Sequence, residues 1–277
     1  MNNNFRHLSK PYLVWLYALA LFPVLIMAFL IFLDIEGISL SDATFTFSNF
    51  RFLLENSTIR AFFNSFKFAL IATFVSIVLG YIVAYRVFRS KFKNKFLVLT
   101  ILILPMWSNL LLRIEALGNI MEPNNIIVNL LSRININISI NIKGTDFSVL
   151  LGLVFTYLPF MILPIYTALE KIDFSLEEAA LDLGVTEMVK FWKVVFPLSL
   201  KGVITGSIMV FLPCFSGFAI PEILGKGRIV LIGNIIEQAF RNMSYNLGSL
   251  LSIIILMIIL GSLFIINKVN KEGDMLL

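Results

Sequence analysis

The sequence has little of what builds most enzyme sites. Its 277 residues include one cysteine, Cys214, and one histidine, His7. A single cysteine cannot close an intrachain disulfide, and one cysteine with one histidine cannot supply a tetrahedral metal site. The sequence also has no GxxxxGK[ST] phosphate loop, no HExxH pair and no serine nucleophile elbow. We therefore expect no catalytic residue, no metal and no cofactor bound by this chain, which could not hydrolyse ATP alone.

Charged residues are also scarce. They make up 14% of the chain, whereas hydrophobic residues make up 58% and phenylalanine alone occurs 27 times. This excess is too large for a soluble domain, and long apolar runs predict transmembrane helices. The net charge of +5 does not indicate nucleic-acid binding, because the basic residues cluster beside the apolar runs. The predicted fold class is all-α, a polytopic membrane protein with six transmembrane helices.

Six apolar segments are each long enough for a bilayer, which needs about 20 residues. The first is too long for a cleavable signal peptide and lacks a small-residue cleavage site, so we expect a signal-anchor helix. The fifth is interrupted by Lys201 and Pro213. The predicted spans are residues 11–33, 62–87, 96–117, 147–169, 198–224 and 247–267.

Basic residues determine the expected orientation. The connection after the second span carries five of them and no acid, two precede the first span, and two follow the last span. By the positive-inside rule these segments are cytoplasmic, so both termini are expected in the cytoplasm. The basic residues concerned are Arg6, Lys10, Arg86, Arg89, Lys91, Lys93, Lys95, Lys268 and Lys271.

The longest polar run between two apolar stretches covers residues 170–197. Its charges exclude it from lipid, which predicts a structured, water-exposed loop. Ser175 and Glu178 have the spacing of a capping box at the start of a helix. Gly184 suits the end of that helix, and Thr186 suits the start of a second one. We therefore expect two short helices joined by a turn.

The same loop carries a spaced motif. It reads Glu178-Ala179-Ala180, then Gly184 and, after nine residues, Val194-Val195-Phe196-Pro197. This resembles the EAA loop of binding-protein-dependent ABC importer permeases, in which EAA, three residues, G and nine residues precede I-x-L-P. Val194 and Phe196 replace the usual Ile and Leu. In that family the loop docks into a groove of a cytoplasmic ATPase, which implies this role for Ser175, Glu178, Ala179, Ala180, Gly184 and Pro197.

A resemblance over a longer part of the chain narrows the class of substrate that we expect. From about Ser65 to Asn267 the chain resembles spermidine/putrescine importer permeases, and the B-type subunit more than its C-type partner. The stretch WSNLLLRIEAL contributes, with Ile114 where threonine is usual, whereas Gly217 stands where some relatives carry glutamate. The resemblance implies a bacterial inner-membrane location and a heterodimer with a C-type permease. It also implies two copies of a cytoplasmic ABC ATPase and an external polyamine-binding protein.

Charges and helix breaks at membrane depth are candidates for a substrate path. Carboxylates beside aromatic faces favour a cationic substrate, because a desolvated ammonium over a ring gains roughly 1–2 kcal/mol. At each position the alternative is a lipid-facing or interfacial side chain. The candidates lie near the outer end of the third span, in the fourth span and at the Pro/Gly-rich end of the fifth. They are Trp107, Glu115, Tyr157, Ser216, Phe218 and Glu222.

The predicted organisation has three parts. Residues 1–61 hold the N-terminal tail, first helix and external connection, residues 62–268 the permease core, and residues 269–277 a cytoplasmic tail. In the Asn-rich external connection, residues 123–131 predict a short helix capped at Asn124 or Asn125, and residues 133–142 an extended segment. Three alternatives stay open: an importer of the same class for sulfate, molybdate, iron or phosphonate, a passive channel, and a membrane-embedded enzyme.

Overall fold

The computed structural model describes residues 3–34, 43–132 and 141–274. Most of the predicted extended segment at residues 133–142 lies outside these ranges. The helices are α1 Asn3–Leu30, α2 Asn56–Arg89, α3 Lys95–Ile103, α4 Leu110–Ile120, α5 Ile126–Ser132, α6 Asp146–Glu170, α7 Phe174–Asp182, α8 Glu187–Lys190, α9 Phe196–Ser216, α10 Ala219–Gly225, α11 Ile232–Arg241 and α12 Tyr245–Asp274. Strands β1 Leu33–Asp34 and β2 Thr44–Phe45 form an antiparallel pair.

Five helices of the described ranges are long and apolar enough to cross a membrane. A sixth crossing requires α3 and α4 together, because each is too short alone. The all-α, polytopic prediction is confirmed, and the number of spans is five or, with the bent pair, six. The five are Pro11–Leu30, Asn56–Arg89, Asp146–Glu170, Glu187–Ser216 and Tyr245–Phe264.

The third span was predicted as one continuous helix, but this prediction was wrong. The chain bends there by 91° between Trp107 and Leu110. A 3₁₀ turn at Leu104–Trp107 contains Pro105, which cannot continue an α-helical ladder. Asn109 then caps α4 by accepting hydrogen bonds from the N–H groups of Leu111 and Leu112 at 2.9 and 3.3 Å. The bend is therefore encoded by a proline followed by a new helix start.

The fifth predicted span is also divided, and its two ends were misplaced. The apolar helix begins earlier, at Glu187, and ends at Ser216, whereas residues 219–225 form the separate helix α10. Gly217 is extended, with φ −70° and ψ 147°, and its N–H bonds to the carbonyl of Pro213. The helix break expected from proline and glycine in this region is confirmed.

Helices α6 and α9, which flank the polar loop, approach each other closely. A Cβ added at Gly202 would lie 2.5 Å from the carbonyl oxygen of Pro164 and 2.6 Å from Ala168 Cβ. At Gly206 it would lie 2.7 Å from Met161 Sδ. Small residues allow membrane helices to pack at such distances, so the two ends of the loop are anchored on a tight helix pair.

The described part of the chain divides into two compact units, Phe62–Asn234 and the residues on either side of it. In the second of these units, the Nδ2 of the buried Asn49 donates to the carbonyls of Ile31 and Leu33 at 2.8 and 2.9 Å. Its Oδ1 accepts from Asn246 Nδ2 at 3.1 Å. Asn49 thereby ties the end of α1, a short 3₁₀ helix and the start of α12 together.

Candidate functional site: the EAA-like loop and the broken spans

Residues 170–197, the EAA-like loop, contain the short helix α7, a turn and α8, as predicted, but α8 is not a separate short helix, because it continues through a π turn into α9. The first helix begins at Phe174 and is capped by Asp173, whose Oδ1 accepts from the N–H of Ser175 at 3.0 Å. This hydrogen bond holds the pKa of the Asp173 carboxyl below its ordinary value. The predicted capping box of Ser175 and Glu178 was wrong, because an ionised acceptor two residues earlier, Asp173, starts the helix and leaves Ser175 inside it.

The predictions for Gly184 and Thr186 in this loop are confirmed. Gly184 follows the last residues of α7 with φ +77°, and its N–H bonds to the carbonyl of Leu181 at 2.8 Å. Thr186 caps α8 by accepting from the N–H of Val189 at 3.4 Å. Pro197 stands in the first turn of α9, which follows a π turn over Phe191–Val195.

Several large apolar side chains of the EAA-like loop are exposed. Glu178, Ala179 and Gly184 are exposed, and Ala180 is half-buried. Leu183 is 84% exposed beside them. An exposed apolar surface of this kind marks an interaction site. Its other large members are Phe174, Leu176, Leu181, Met188 and Trp192.

The structure also shows a feature of the loop that sequence reasoning missed. Glu177, directly before the motif, has a side chain only 2% exposed, and its Oε2 is bound by Arg89 and by Lys190 Nζ, the latter at 3.4 Å. Arg89 is the last residue of α2 and Lys190 the last of α8. We name these three residues the Glu177 cluster. The carboxylate of Glu177 joins three helices, because it lies in α7 and the two cations that pair with it lie in α2 and α8.

Aromatic side chains extend this junction. The Tyr85 ring meets Phe191 edge-on with centroids 5.1 Å apart, and the guanidinium of Arg89 lies 5.4 Å from the Tyr85 centroid. Tyr81 packs on Phe191 and exchanges a hydrogen bond of 2.8 Å with Ser199 Oγ in α9. The loop end of α2 is therefore fastened to the π turn by ring contacts and to α9 by a hydrogen bond.

Three of the predicted path residues lie at the break in the fifth span. The hydroxyl of the half-buried Tyr157 lies 3.7 Å from a Cβ built at Gly217, next to Ser216. Phe218 is exposed and stands one turn before Glu222, whose N–H bonds to the Phe218 carbonyl at 3.1 Å. The structure thus brings together Tyr157, Ser216, Phe218 and Glu222 around one irregular backbone segment.

Asn234, which sequence reasoning missed, organises this break. Its Nδ2 donates to the carbonyl of Phe218 at 3.0 Å and to Glu222 Oε2 at 3.2 Å. Its Oδ1 accepts from the N–H of Leu231 at 3.1 Å. Asn234 is 6% exposed, so water has little access to its side chain. That side chain therefore forms its hydrogen bonds with protein groups, among them the Phe218 carbonyl at the helix break.

Trp107 and Glu115 lie on the two arms of the bent pair. Trp107 is 89% exposed at the bend itself, and Glu115 is an exposed residue of α4. Helix α4 packs on α10, where a Cβ at Gly118 would lie 3.1 Å from Leu224. The helix of Glu115 is therefore a neighbour of the helix that carries Glu222, whereas the described contacts do not bring Trp107 to this group.

A second ionic cluster lies at the Asp146 end of α6. Glu122 Oε1 is 3.1 Å from Lys143 Nζ and 3.3 Å from Lys226 Nζ, and Glu115 is 3.8 Å from the same Lys143. The two lysines hold the pKa of the Glu122 carboxyl below its ordinary value. We name these four residues the Glu122 cluster. It joins the end of α4 with the segment before α6 and the turn after α10.

The helix predicted in the Asn-rich connection is confirmed with Asn125 as its cap. Helix α5 begins at Ile126, and Asn125 Oδ1 accepts from the N–H of Val128 at 2.9 Å. Among the residues that the structure describes, no group of three or more His, Cys, Asp or Glu side chains could hold a metal ion. Cys214 is buried in α9.

Comparisons with known proteins place this geometry in a family. The family described as binding-protein-dependent transport system inner membrane component matches residues 76–269. The spermidine/putrescine transport system permease protein PotB of Haemophilus influenzae is 32% identical over 98% of this chain and 96% of its own length. Its counterpart from Escherichia coli is 33% identical over 94% of this chain and 97% of its own length.

A solved structure shares the fold. A bacterial ABC transporter that imports the acidic polysaccharide alginate contains a chain with a TM-score of 0.78, 14% sequence identity, and coverage of 97% of this chain and 95% of that one. The family match and the two relatives span most of the sequence, including the EAA-like loop and both broken spans. The chain therefore belongs to the family of binding-protein-dependent transport system inner membrane components, as a multi-pass permease subunit and not as an enzyme.

Proposed function

We propose that this chain is the B-type permease subunit of an ATP-driven importer of polyamines, spermidine or putrescine. The observation that carries the transport assignment is the EAA-like loop, a two-helix element with an exposed apolar face around Leu183 next to Glu178. The polyamine assignment is supported by the two permeases named for spermidine and putrescine, each about a third identical over nearly the full chain.

The partners follow from this role. The EAA-like loop would face the cytoplasm, as would both termini, because the basic segments flanking the spans favour that side. A cytoplasmic ABC ATPase, present in two copies, would cover the exposed apolar face of the loop. A C-type permease would complete the translocation path as a heterodimer, and an external polyamine-binding protein would deliver the substrate.

The path would pass the break between α9 and α10. Glu222 and Glu115 supply carboxylates for a cationic substrate, while Tyr157 and Phe218 supply aromatic faces. Glu222 already accepts a hydrogen bond from Asn234, which fixes its carboxylate beside the broken backbone. Trp107 would line the path at the bend of the third span, and Ser216 would line it at the end of α9.

The proposed mechanism is alternating access. Closure of the ATPase dimer on ATP would displace the EAA-like loop, and the tightly packed α6 and α9 would carry that displacement towards the break. Glu178 would meet a basic residue of the ATPase. Ala179 and Ala180 would allow close approach of the two surfaces, and Gly184 would set the angle between the helices.

The test is ATP hydrolysis by the complex reconstituted in nanodiscs with its binding protein. We expect spermidine or putrescine to stimulate hydrolysis, sulfate to have no effect, and Glu178→Lys to abolish the stimulation while the complex stays assembled. An assembled complex that responds to sulfate, molybdate, iron or phosphonate instead would overturn the polyamine assignment alone. Failure of the chain to capture any ATPase would overturn the importer assignment in favour of a channel or an enzyme.

A further inference from the structure

Helix α2 runs from the EAA-like loop to the break in the fifth span. The stretch from Phe62 to Arg89 covers about 40 Å at the rise of an α-helix. Both ends of this stretch make specific contacts with the two candidate functional regions. This inference rests on the proposed transport function, because it concerns how motion of the loop would reach the path.

At the loop end, the contact is the buried ion pair of Arg89 with Glu177. Glu177 lies in the middle of α7, so this pair fastens α2 to the helix that carries the EAA motif itself. The second cation, Lys190, fastens α7 to α8 through the same carboxylate oxygen. The two loop helices and the end of α2 therefore share one buried charge, and a displacement of α2 or of α8 alone would remove one of the two cations that neutralise it.

Along its length, α2 stays in contact with the helices that flank the loop. A Cβ built at Gly80 would lie 2.7 Å from Met161 Cγ in α6. The Phe66 ring meets Phe211 of α9 edge-on with centroids 6.0 Å apart. These contacts keep α2 beside α6 and α9 between its two ends.

At the far end, α2 reaches the break. The Phe62 ring meets Phe215, the residue before Ser216, with centroids 5.5 Å apart and planes nearly perpendicular. The buried Ser65 Oγ accepts a hydrogen bond of 2.8 Å from the N–H of Ile232, two residues before Asn234. Both contacts touch segments that adjoin the predicted path residues.

The alternative route from the loop to the break runs through α9 alone. That route begins with the π turn Phe191–Val195, in which the hydrogen-bond ladder departs from that of a regular α-helix. Movement of the loop can be absorbed by a change of register there. Helix α2 is continuous from Asn56 to Arg89 and bypasses the π turn.

We propose that α2 is the strut that carries motion of the EAA-like loop to the break at residues 216–219, and that Arg89 is the positioning residue that locks the loop onto it. Arg89 acts through Glu177 and touches neither ATP nor the transported solute. Its loss would leave the ATPase able to move the loop while the break no longer follows. ATP hydrolysis would then continue, whereas less solute would be transported per ATP hydrolysed.

The first experiment measures spermidine uptake and ATP hydrolysis in the same proteoliposomes for the full complex and for Arg89→Gln. Arg89 is partly exposed, so glutamine can be solvated there while Lys190 still pairs with Glu177. We expect hydrolysis to stay within about twofold and uptake per ATP to fall at least about fivefold, the lower end of typical coupling factors. Arg89→Lys keeps the cation and is expected to restore most of the ratio.

The matched control is Asp146→Asn. Asp146 pairs with Lys67 at 3.2 Å and also links α2 to another helix, but both side chains are exposed and the pair lies at the opposite end of α2. We expect its uptake per ATP to equal that of the unaltered complex. If uptake per ATP is unchanged in Arg89→Gln, whether both rates stay high or fall together, the proposal that α2 is the strut would be overturned.

A second measurement does not depend on the transported solute. Spin labels at Ile82 in α2 and Asp182 in α7, both exposed, report the distance between helix and loop after Cys214→Ala removes the native thiol. On addition of ATP and Mg²⁺ we expect this distance to stay constant in the otherwise unaltered complex and to change in Arg89→Gln. A change in the unaltered complex, or none in the variant, would contradict the proposal, even if the complex imported something other than a polyamine.

Discussion

Two ionic clusters, each built on a carboxylate that binds two cations, differ in burial. In the Glu177 cluster, a carboxylate that is 2% exposed binds a lysine that is 5% exposed and an arginine at the end of α2. In the Glu122 cluster, a carboxylate that is 38% exposed binds the buried Lys143 and a lysine that is 48% exposed. Each carboxylate joins three segments of the chain by binding two cations.

The difference in burial determines what each cluster can do. Water solvates an exposed carboxylate when a partner is removed, so exposed pairs contribute little to stability and are screened by salt. A buried carboxylate that loses a partner keeps its charge in a low-dielectric site, which is costly. The Glu177 cluster is thus suited to hold helices in one arrangement. The Glu122 cluster contributes less, because water solvates its exposed carboxylate when a cation moves away.

The largest effect is expected for Lys190→Met, which leaves the buried Glu177 with one cation instead of two. We expect a loss of about 2 kcal/mol or more in the free energy of unfolding, because a buried carboxylate loses one of the two cations paired with it. The measurement is thermal unfolding of the purified complex in detergent. Lys193→Met is the control, since Lys193 is exposed on the same segment, and equal destabilisation by both variants would contradict the burial argument.

Gly184→Ala tests whether the loop depends on its backbone as well as on its buried charge. Gly184 has φ +77° and open space around its Cα, so alanine meets no neighbour and costs about 1 kcal/mol through backbone strain alone. Gly184→Asn should cost less, because asparagine tolerates this region. Gly261→Ala in α12, also in open space, should not destabilise, and a loss there equal to that at Gly184 would refute the strain explanation.

Lys143→Met and Lys226→Met compare a buried and an exposed cation on one carboxylate. Lys143 is 8% exposed and also lies 3.8 Å from Glu115, whereas Lys226 is half exposed. We expect Lys143→Met to lower the free energy of unfolding by about 1 kcal/mol and Lys226→Met by less than about 0.5 kcal/mol. Chemical unfolding of both variants in parallel checks the order, and the reverse order would show that burial of the cation does not decide the effect.

The effect of Glu122→Gln is expected to depend on pH. The lysines hold the pKa of Glu122 below its ordinary value of 4.5, so the folded protein binds this proton less readily than the unfolded chain. The contribution is therefore fully present above about pH 4.5 and is lost as the pH falls below it. Unfolding temperatures of variant and parent should differ slightly at pH 7, and converge in acid and in high salt. A difference that persists in both conditions would mean that the pair does not act through its charges.

Local chemistry made much of the EAA-like loop predictable. The cap at Thr186 and the positive φ at Gly184 each follow from the side-chain or backbone preference of one residue. The same reasoning failed at Ser175, because Asp173 two residues earlier is the better acceptor. Sequence spacing recognised a possible capping box but did not rank it against a competing cap.

The Glu177 cluster was out of reach for the same kind of reasoning. Glu177 and Glu178 are adjacent acids with the same local surroundings in sequence, yet one is buried and the other exposed. The cation that distinguishes them, Arg89, lies 88 positions away and appeared in the sequence only as one of several basic residues flanking a span. The interruption near Trp107 was partly visible, since Pro105 and Asn109 are breaking and capping residues, but its 91° angle was not.

The sequence by itself determined the polytopic helical architecture, the loop with its motif and some of the helix caps, because hydrophobicity and backbone hydrogen bonding act over a few residues. Only the tertiary structure decided which of the loop's acids is buried, which basic residue meets it and how α2 links the loop to the break. Those properties depend on which helices pack together, and packing brings together residues whose separation along the chain carries no local signal.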